Sequence, residues 1–209
     1  MNRKPWRNRS QPLKLKKTTR SGQLVSVDQM EVNTPGFIAQ LKGRLTRQRY
    51  KYATVYVDHY SRHGWIYLQR TLSSEETIEG KKQYEAFCDQ NGLQVKHYHA
   101  DNGRFADNSF INDVRSKKQT ISYCGVGAHH QNGIAEKRIR DLTEQVRKML
   151  LHARSKCPSA VTIELWPYAM RQAQEVKNSM PKDLSGKSPL EIFYKCEVAL
   201  QLNNFHTFG

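Results

Sequence analysis

Apolar residues change spacing several times along the chain, and each change marks an element. Leu24, Val25 and Val27 give residues 23–32 apolar positions on both faces, the pattern of a strand covered on two sides. Residues 50–59 (YKYATVYVDH) and 65–69 (WIYLQ) are two further β-rich runs, and 60–64 between them reads as a hairpin connection. Ser73, Ser74 and Glu76 open a helix to about residue 90, with a cap and acids at the positive end of its dipole. Asn91-Gly92 stops it. Strands follow over 95–100 and 121–126, separated by a short helix over 108–118. Helices are then expected over 132–153 and 165–178, with a last helical turn over 189–194. Three strands, a helix, a strand, a helix, a strand and then helices make an α/β chain with a five-stranded mixed sheet flanked by helices.

Organisation follows from where this pattern begins and ends. Residues 1–22 are expected to be a basic flexible leader. Arg3, Lys4, Arg7, Arg9, Lys14, Lys16, Lys17 and Arg20 occur there with no acid, and Pro5 and Pro12 interrupt them. Such a run holds phosphate or a nuclear-import receptor, or serves as a solvated linker in a longer polyprotein. Residues 23–181 form the globular core. Pro181 and Leu184-Ser-Gly break the chain before 182–209, an extension of the core read as cut from a longer polyprotein.

Charge narrows the partners. The chain has 34 Lys and Arg against 19 Asp and Glu, a net +15, which favours a polyanion because each cation set on a phosphate releases a condensed counterion. No run approaches the roughly 18–20 apolar residues that span a bilayer, and the basic start is not followed by the apolar stretch of a secretory signal. Cys88, Cys124, Cys157 and Cys196 are scattered, with no CxxC or CxxH pair, so reduced, buried thiols are expected rather than a zinc knuckle, with two disulfides as the alternative.

Three acids occupy unusual positions. Asp28 lies inside the first, apolar strand, where a lone carboxylate is costly unless paired or bound to a cation. Asp101 ends the fourth strand, beside Asn102-Gly103, and Glu136 lies near the start of the long helix. At 100° per residue Ala135, Ile139, Leu142, Val146, Met149 and Leu150 form that helix's apolar stripe. Glu136 falls about 90° from the middle of the stripe, with Arg140, Thr143 and Arg147 on its side. Two Asp and one Glu suit hard cations such as Mg²⁺, and two such ions roughly 3.5–4 Å apart clamp the attacking and leaving oxygens of a phosphoryl displacement. Each acid also has a structural use: a bond to a turn for Asp28, an Asx turn for Asp101, the helix dipole for Glu136. His97 and His99 share a face with Asp101 by period-two alternation and read as structural, since Mg²⁺ prefers oxygen. Asp58 reads as held by Arg62 at the hairpin, and Trp6 as a base-stacking or linker aromatic.

Residues 129–142 (HHQNGIAEKRIRDL) resemble the glutamate motif of copia-type retrotransposon integrases, of the retroviral integrase superfamily. Residues 56–65 (YVDHYSRHGW), 100–103 (ADNG), 188–193 (SPLEIF) and Phe208-Gly209 resemble other segments of that family, so the likeness runs over about 23–209. It implies a ribonuclease-H-like fold and a polynucleotidyl transferase that joins the 3′ ends of element DNA to target DNA. It matches Asp28, Asp101 and Glu136 to the catalytic, metal-holding acids, with two Mg²⁺ or Mn²⁺ ions. Asn132, Lys137, Arg138, Arg140 and Arg147 are the expected DNA-binding residues. A homo-multimer working in the nucleus, after passage through a virus-like particle or the cytoplasm, completes the expectation, with no membrane involved. The chain departs from the family pattern in three ways. The spacing from Asp101 to Glu136 is one residue short, with the loss falling at Arg104-Phe105. His129-His130 replaces a Pro-containing turn, and no upstream His/Cys module is present in these residues. The alternative left open is a DNA-binding remnant of a transposon polyprotein without catalysis.

Overall fold

A computed structural model describes residues 17–38, 46–124, 132–181, 186–198 and 208. Most of the basic leader, Trp6, His129-His130 and Gly209 lie outside the described residues. Five strands, β1 (Val25–Phe37), β2 (Arg49–Asp58), β3 (Gly64–Gln69), β4 (His97–Ala100) and β5 (Thr120–Tyr123), form one sheet in the order β3-β2-β1-β4-β5. The pairs β1–β2 and β2–β3 are antiparallel, whereas β1–β4 and β4–β5 are parallel. The expected meander and mixed sheet are both present.

Alternation along the strands sorts two cores. Val25 and Val27 of β1, Tyr56 of β2 and Tyr98 of β4 point to one face. There α1 (Ser74–Gln90) and α2 (Asn108–Ser116) cover them with Tyr84, Cys88, Phe110 and Val114. Ser73 caps α1 by accepting from the Glu76 N–H at 3.2 Å. The opposite face carries Ala53, Val55, Val57 and Leu68, packed under α3 (Gly133–Lys156) and α4 (Trp166–Ser179). Ala135, Leu142 and Val146 of the predicted stripe are buried, and Ile139, Met149 and Leu150 pack at its margin. A short helix, α5 (Pro189–Tyr194), is closed by a Ser188/Glu191 capping box and inserts Phe193 into the first core.

β1 runs five residues beyond its expected end, through Pro35 and Gly36, with a register shift between Glu31 and Gly36. Its pairing with β4 involves only Val25 and Ser26, so its far half is an edge, where proline is tolerated. Gly36 is needed there because an added Cβ would stand 2.4 Å from both Pro167 and the Trp166 indole nitrogen. Trp166 in turn donates to the Thr34 carbonyl at 3.0 Å.

Two expectations are corrected here. Ser21 and Gly22, placed in the leader, belong to the packed domain: both are buried, and the Lys96 N–H donates to the Gly22 carbonyl. Asp58 is not held by the Arg62 side chain. It is fully buried and accepts from Gly22 N–H (2.8 Å), Ser61 N–H (2.7 Å) and the Ser61 hydroxyl (2.7 Å), while the Arg62 side chain is exposed. All four cysteines are free thiols, as expected, but only Cys88 and Cys124 are buried; Cys157 and Cys196 are exposed, against expectation. Among the described residues no helix is long and apolar enough to cross a membrane.

Ionic bonds crosslink the α1 layer. The fully buried Lys81 ammonium donates to Asp113 (2.6 Å) and pairs with Glu85 (2.8 Å). Glu85 also accepts from Lys117 (2.5 Å), Gln119 (2.7 Å) and the Tyr98 hydroxyl (2.8 Å). Two imidazoles elsewhere in the domain are held neutral. Burial and the Arg138 charge push His63 down to about 3. Burial, then Arg62, His99 and His97, push His59 down to about 4. In the unfolded chain both ionise near 6.5. Below that pH the unfolded state takes up protons that the native state refuses, so stability falls as pH drops through the window from 6.5 toward 3. Thermal melts should show the midpoint decreasing steadily from pH 7 to pH 4; a flat profile would contradict this reading.

Candidate active site

Parallel pairing brings two of the acids side by side. Ser26 of β1 is opposite His99 of β4. Two residues further along each chain segment come Asp28, in β1, and Asp101, just past the end of β4. Glu136 is in the first turn of α3. Asn132, immediately before that helix, is buried and donates its Nδ2 to the Val27 carbonyl at 3.0 Å. That bond fixes the start of α3 against β1, next to Asp28.

The charges of all three carboxylates are felt at one thiol. Burial first, then the charges of Asp101, Glu136 and Asp28, push Cys124 above its ordinary value. Cys124 follows β5 and is itself anchored, its N–H donating to Ala100 and its carbonyl accepting from Asn102 Nδ2 at 3.1 Å. The acids are neighbours but not a closed cage. Among the described residues, no three Asp, Glu, His or Cys side chains stand together at ion-holding distance. Each aspartate also engages its own backbone. Asp101 Oδ1 accepts from Gly103 N–H at 3.1 Å, the Asx turn, and Asp28 Oδ1 accepts from Gln29 N–H at 2.8 Å. As a donor set they are all hard oxygens, which fits Mg²⁺.

Histidines and hydroxyls floor the same face. His97 is hydrogen-bonded with Thr120 (2.6 Å) and Ser122 (2.8 Å), and His99 with Ser122 (2.9 Å), with its Nε2 3.6 Å from the Cys124 sulfur. His59 is bonded with the Ser26 hydroxyl at 2.7 Å. The structural reading of His97 and His99 agrees with these bonds. Period-two alternation back from Asp101 finds His99, but no spacing in the sequence points to Cys124, Ser122 or His59 as neighbours of the acids.

Comparison with known proteins now has a geometry to meet. No family model matches the chain. Over 149 residues, 67% of its length, it is 24% identical to the retrovirus-related Pol polyprotein from transposon RE1 of Arabidopsis thaliana, and it spans 9% of that polyprotein. The HTLV-2 integrase catalytic core domain solved with magnesium superposes with TM-score 0.60 at 18% identity, covering 85% of this chain and 99% of that one. A simian T-cell lymphotropic virus intasome in complex with PP2A regulatory subunit B56 gamma gives 0.64 at 14% identity, over 89% of this chain and 58% of that one. The catalytic core of BIV integrase gives 0.56 at 19%, over 83% and 95%. The fold is that of a retroviral integrase catalytic core.

Within this integrase-like domain the short Asp101–Glu136 connection is accommodated locally. Arg104–Ala106 forms a 3-10 turn, Phe105 is buried against Phe110, and the Tyr123 hydroxyl donates to the Phe105 carbonyl at 2.7 Å. Lys137, Arg140 and Arg147 are exposed, with Arg140, Thr143 and Arg147 continuing the Glu136 side of α3. Two of the residues expected to contact DNA are buried in the domain. Arg138 is only 3% exposed and its guanidinium donates to the Arg62 carbonyl and, at 3.5 Å, to Asn178 Oδ1. Asn132 is 1% exposed and spent on Val27. Both brace the site from inside rather than reach outward. Asn178, which the sequence does not single out, is the second brace, bonding Gly64 N–H (2.9 Å), the Gly64 carbonyl (2.8 Å) and His63 (3.0 Å). Asn132→Ala should lower stability by about 1–2 kcal/mol, because the buried Val27 carbonyl loses its donor. Denaturant unfolding checks it, and an unchanged midpoint would show that the bond does not hold the helix.

Proposed function

We propose that this chain is the catalytic core of a copia-type retrotransposon integrase, joining the 3′ ends of element DNA to target DNA by Mg²⁺-dependent phosphoryl transfer. The observation that supports the reading is the parallel β1–β4 pairing, which leads to Asp28 and Asp101, with the start of α3 that carries Glu136 tied to β1 by Asn132. Asp28, Asp101 and Glu136 would hold the ions, two Mg²⁺ or Mn²⁺. Bound there, the metal would make a 3′-hydroxyl a better nucleophile and stabilise the departing oxygen.

The remaining work belongs to the chain itself. β1 carries Asp28, Asp101 follows β4, and the Asn132 bond ties the start of the helix that bears Glu136 to β1. Lys137, Arg140 and Arg147 neutralise backbone phosphates along α3. Both element ends and target DNA are substrates, the working form is a homo-multimer, and the site of action is the nucleus, with the +15 net charge as support. The acids' departure from ion-holding distance favours a second reading, a DNA-binding remnant without catalysis. An oligonucleotide assay separates the two. Element-end DNA joined to a target strand, only when Mg²⁺ or Mn²⁺ is added, supports the integrase. Cut but unjoined strands identify a hydrolase. Steeply salt-dependent binding with no product identifies the remnant.

A further inference from the structure

The first turns of α3 have a second side, turned away from Glu136. Lys137, Arg138 and Asp141 face the β2–β3 hairpin and α4, where they line, with Arg62, Gly133 and Lys177, a cleft of about 510 Å³. Its charges do not balance. Asp141, the one carboxylate in the lining, is bonded to Lys177 at 2.6 Å. Only 3% of Arg138 is exposed, yet its guanidinium reaches only neutral acceptors, the Arg62 carbonyl and the Asn178 side-chain oxygen. Among the described residues it has no ion pair. The nearby Asp141 charge favours its ionised form without pairing with it, and a buried cation with no direct anionic partner is an expensive arrangement. The same charge is felt outside the cleft, where it helps keep His63 neutral.

Three further features face the same space. Arg62 and Lys137 are exposed cations at the rim. The cleft includes Gly133, first residue of a 24-residue helix to which Asn132 gives no side-chain cap, so the positive end of the dipole adds to the field. Arg62 holds a positive φ of 64°, a conformation that glycine adopts without strain.

We infer that this cleft is a phosphate-binding subsite, in which Arg138 is the fixed buried charge and Arg62 and Lys137 close on the anion from the rim. The guanidinium fork suits a tetrahedral oxyanion. A phosphodiester of bound DNA and free phosphate share that chemistry. The subsite deepens the DNA-binding half of the proposed function and does not need its catalytic half.

Amide NMR of the ¹⁵N-labelled full chain, titrated with orthophosphate at constant ionic strength, tests it. The Gly133, Ile134 and Arg138 signals should shift and saturate at millimolar phosphate. The shifts should disappear in Arg62→Gly/Lys137→Ala, a pair chosen because glycine suits the φ at 62 and alanine the exposed helix position. They should persist in Lys82→Ala, on the exposed side of α1. A short DNA duplex that displaces phosphate, and whose salt slope falls by about one in the double variant, identifies the source as DNA backbone. Phosphate binding that the duplex leaves untouched identifies a free anion. No shift with orthophosphate, or equal shifts in the double variant, overturns the subsite. Salt-dependent duplex binding that survives such a failure leaves the proposed function standing.

Discussion

Glu136→Gln and Asp28→Asn should each abolish strand transfer while leaving duplex affinity near that of the unaltered chain. Both changes are nearly isosteric. In Asp28→Asn the side-chain amide oxygen would still accept from the Gln29 N–H that Asp28 Oδ1 now takes at 2.8 Å. Glu136 lies in the first turn of a helix whose apolar stripe is elsewhere. Only the charge is lost, and charge is what a divalent ion requires of a carboxylate. A loss of at least about 10³-fold, worth roughly 4 kcal/mol at the transition state, is the scale expected when such electrostatic support goes. In the proposed function binding falls to the exposed Lys137, Arg140 and Arg147, so it should change little. Measured joining in either variant at the rate of the unaltered chain would remove the acids from the reaction.

Lys81→Met should cost the fold more than any surface change. Its ammonium is fully buried between Glu85 at 2.8 Å and Asp113 at 2.6 Å. Methionine fills the volume but leaves both carboxylates short of a partner, and breaking a buried pair on one side typically costs about 3–5 kcal/mol. Denaturant unfolding should show the midpoint falling with little change in slope. Acid acts on the same network. Burial raises Glu85, but its bonds from Lys117, Lys81 and Gln119 outweigh this and hold it below its ordinary value of 4.5. Its contribution is therefore present above pH 4.5 and lost as pH falls further. A variant as stable as the parent would mean that the network is no more than packed volume.

The strands and helices were legible because their apolar periods differ and because Ser73, Asn91-Gly92 and Pro181 punctuate them. The end of β1 was not. Pro35-Gly36 reads as a stop, and only the sheet order reveals that this half of β1 is an edge with Trp166 lying over Gly36. Asp28 and Asp101 stood out as acids in or at the end of apolar strands, and Glu136 through its place beside the helix stripe. Arg138 matches a basic position of the resembling motif, and nothing local shows that it is buried. Its burial depends on Asn178 and the β2–β3 hairpin, far away in sequence. Lys81 and Glu85 likewise read as a helix-surface pair, and nothing local announces that Asp113 and Tyr98 close over them.

The position of Cys124 gives the protein a built-in gauge. Its sulfur is a nucleophile only as thiolate, and burial first, then the charges of Asp101, Glu136 and Asp28, restrain that ionisation. Divalent ions that neutralise those charges should ease the electrostatic part of the restraint. The rate at which a small alkylating reagent labels Cys124 would then rise with Mg²⁺ concentration, giving a titration of ion occupancy that needs neither DNA nor turnover.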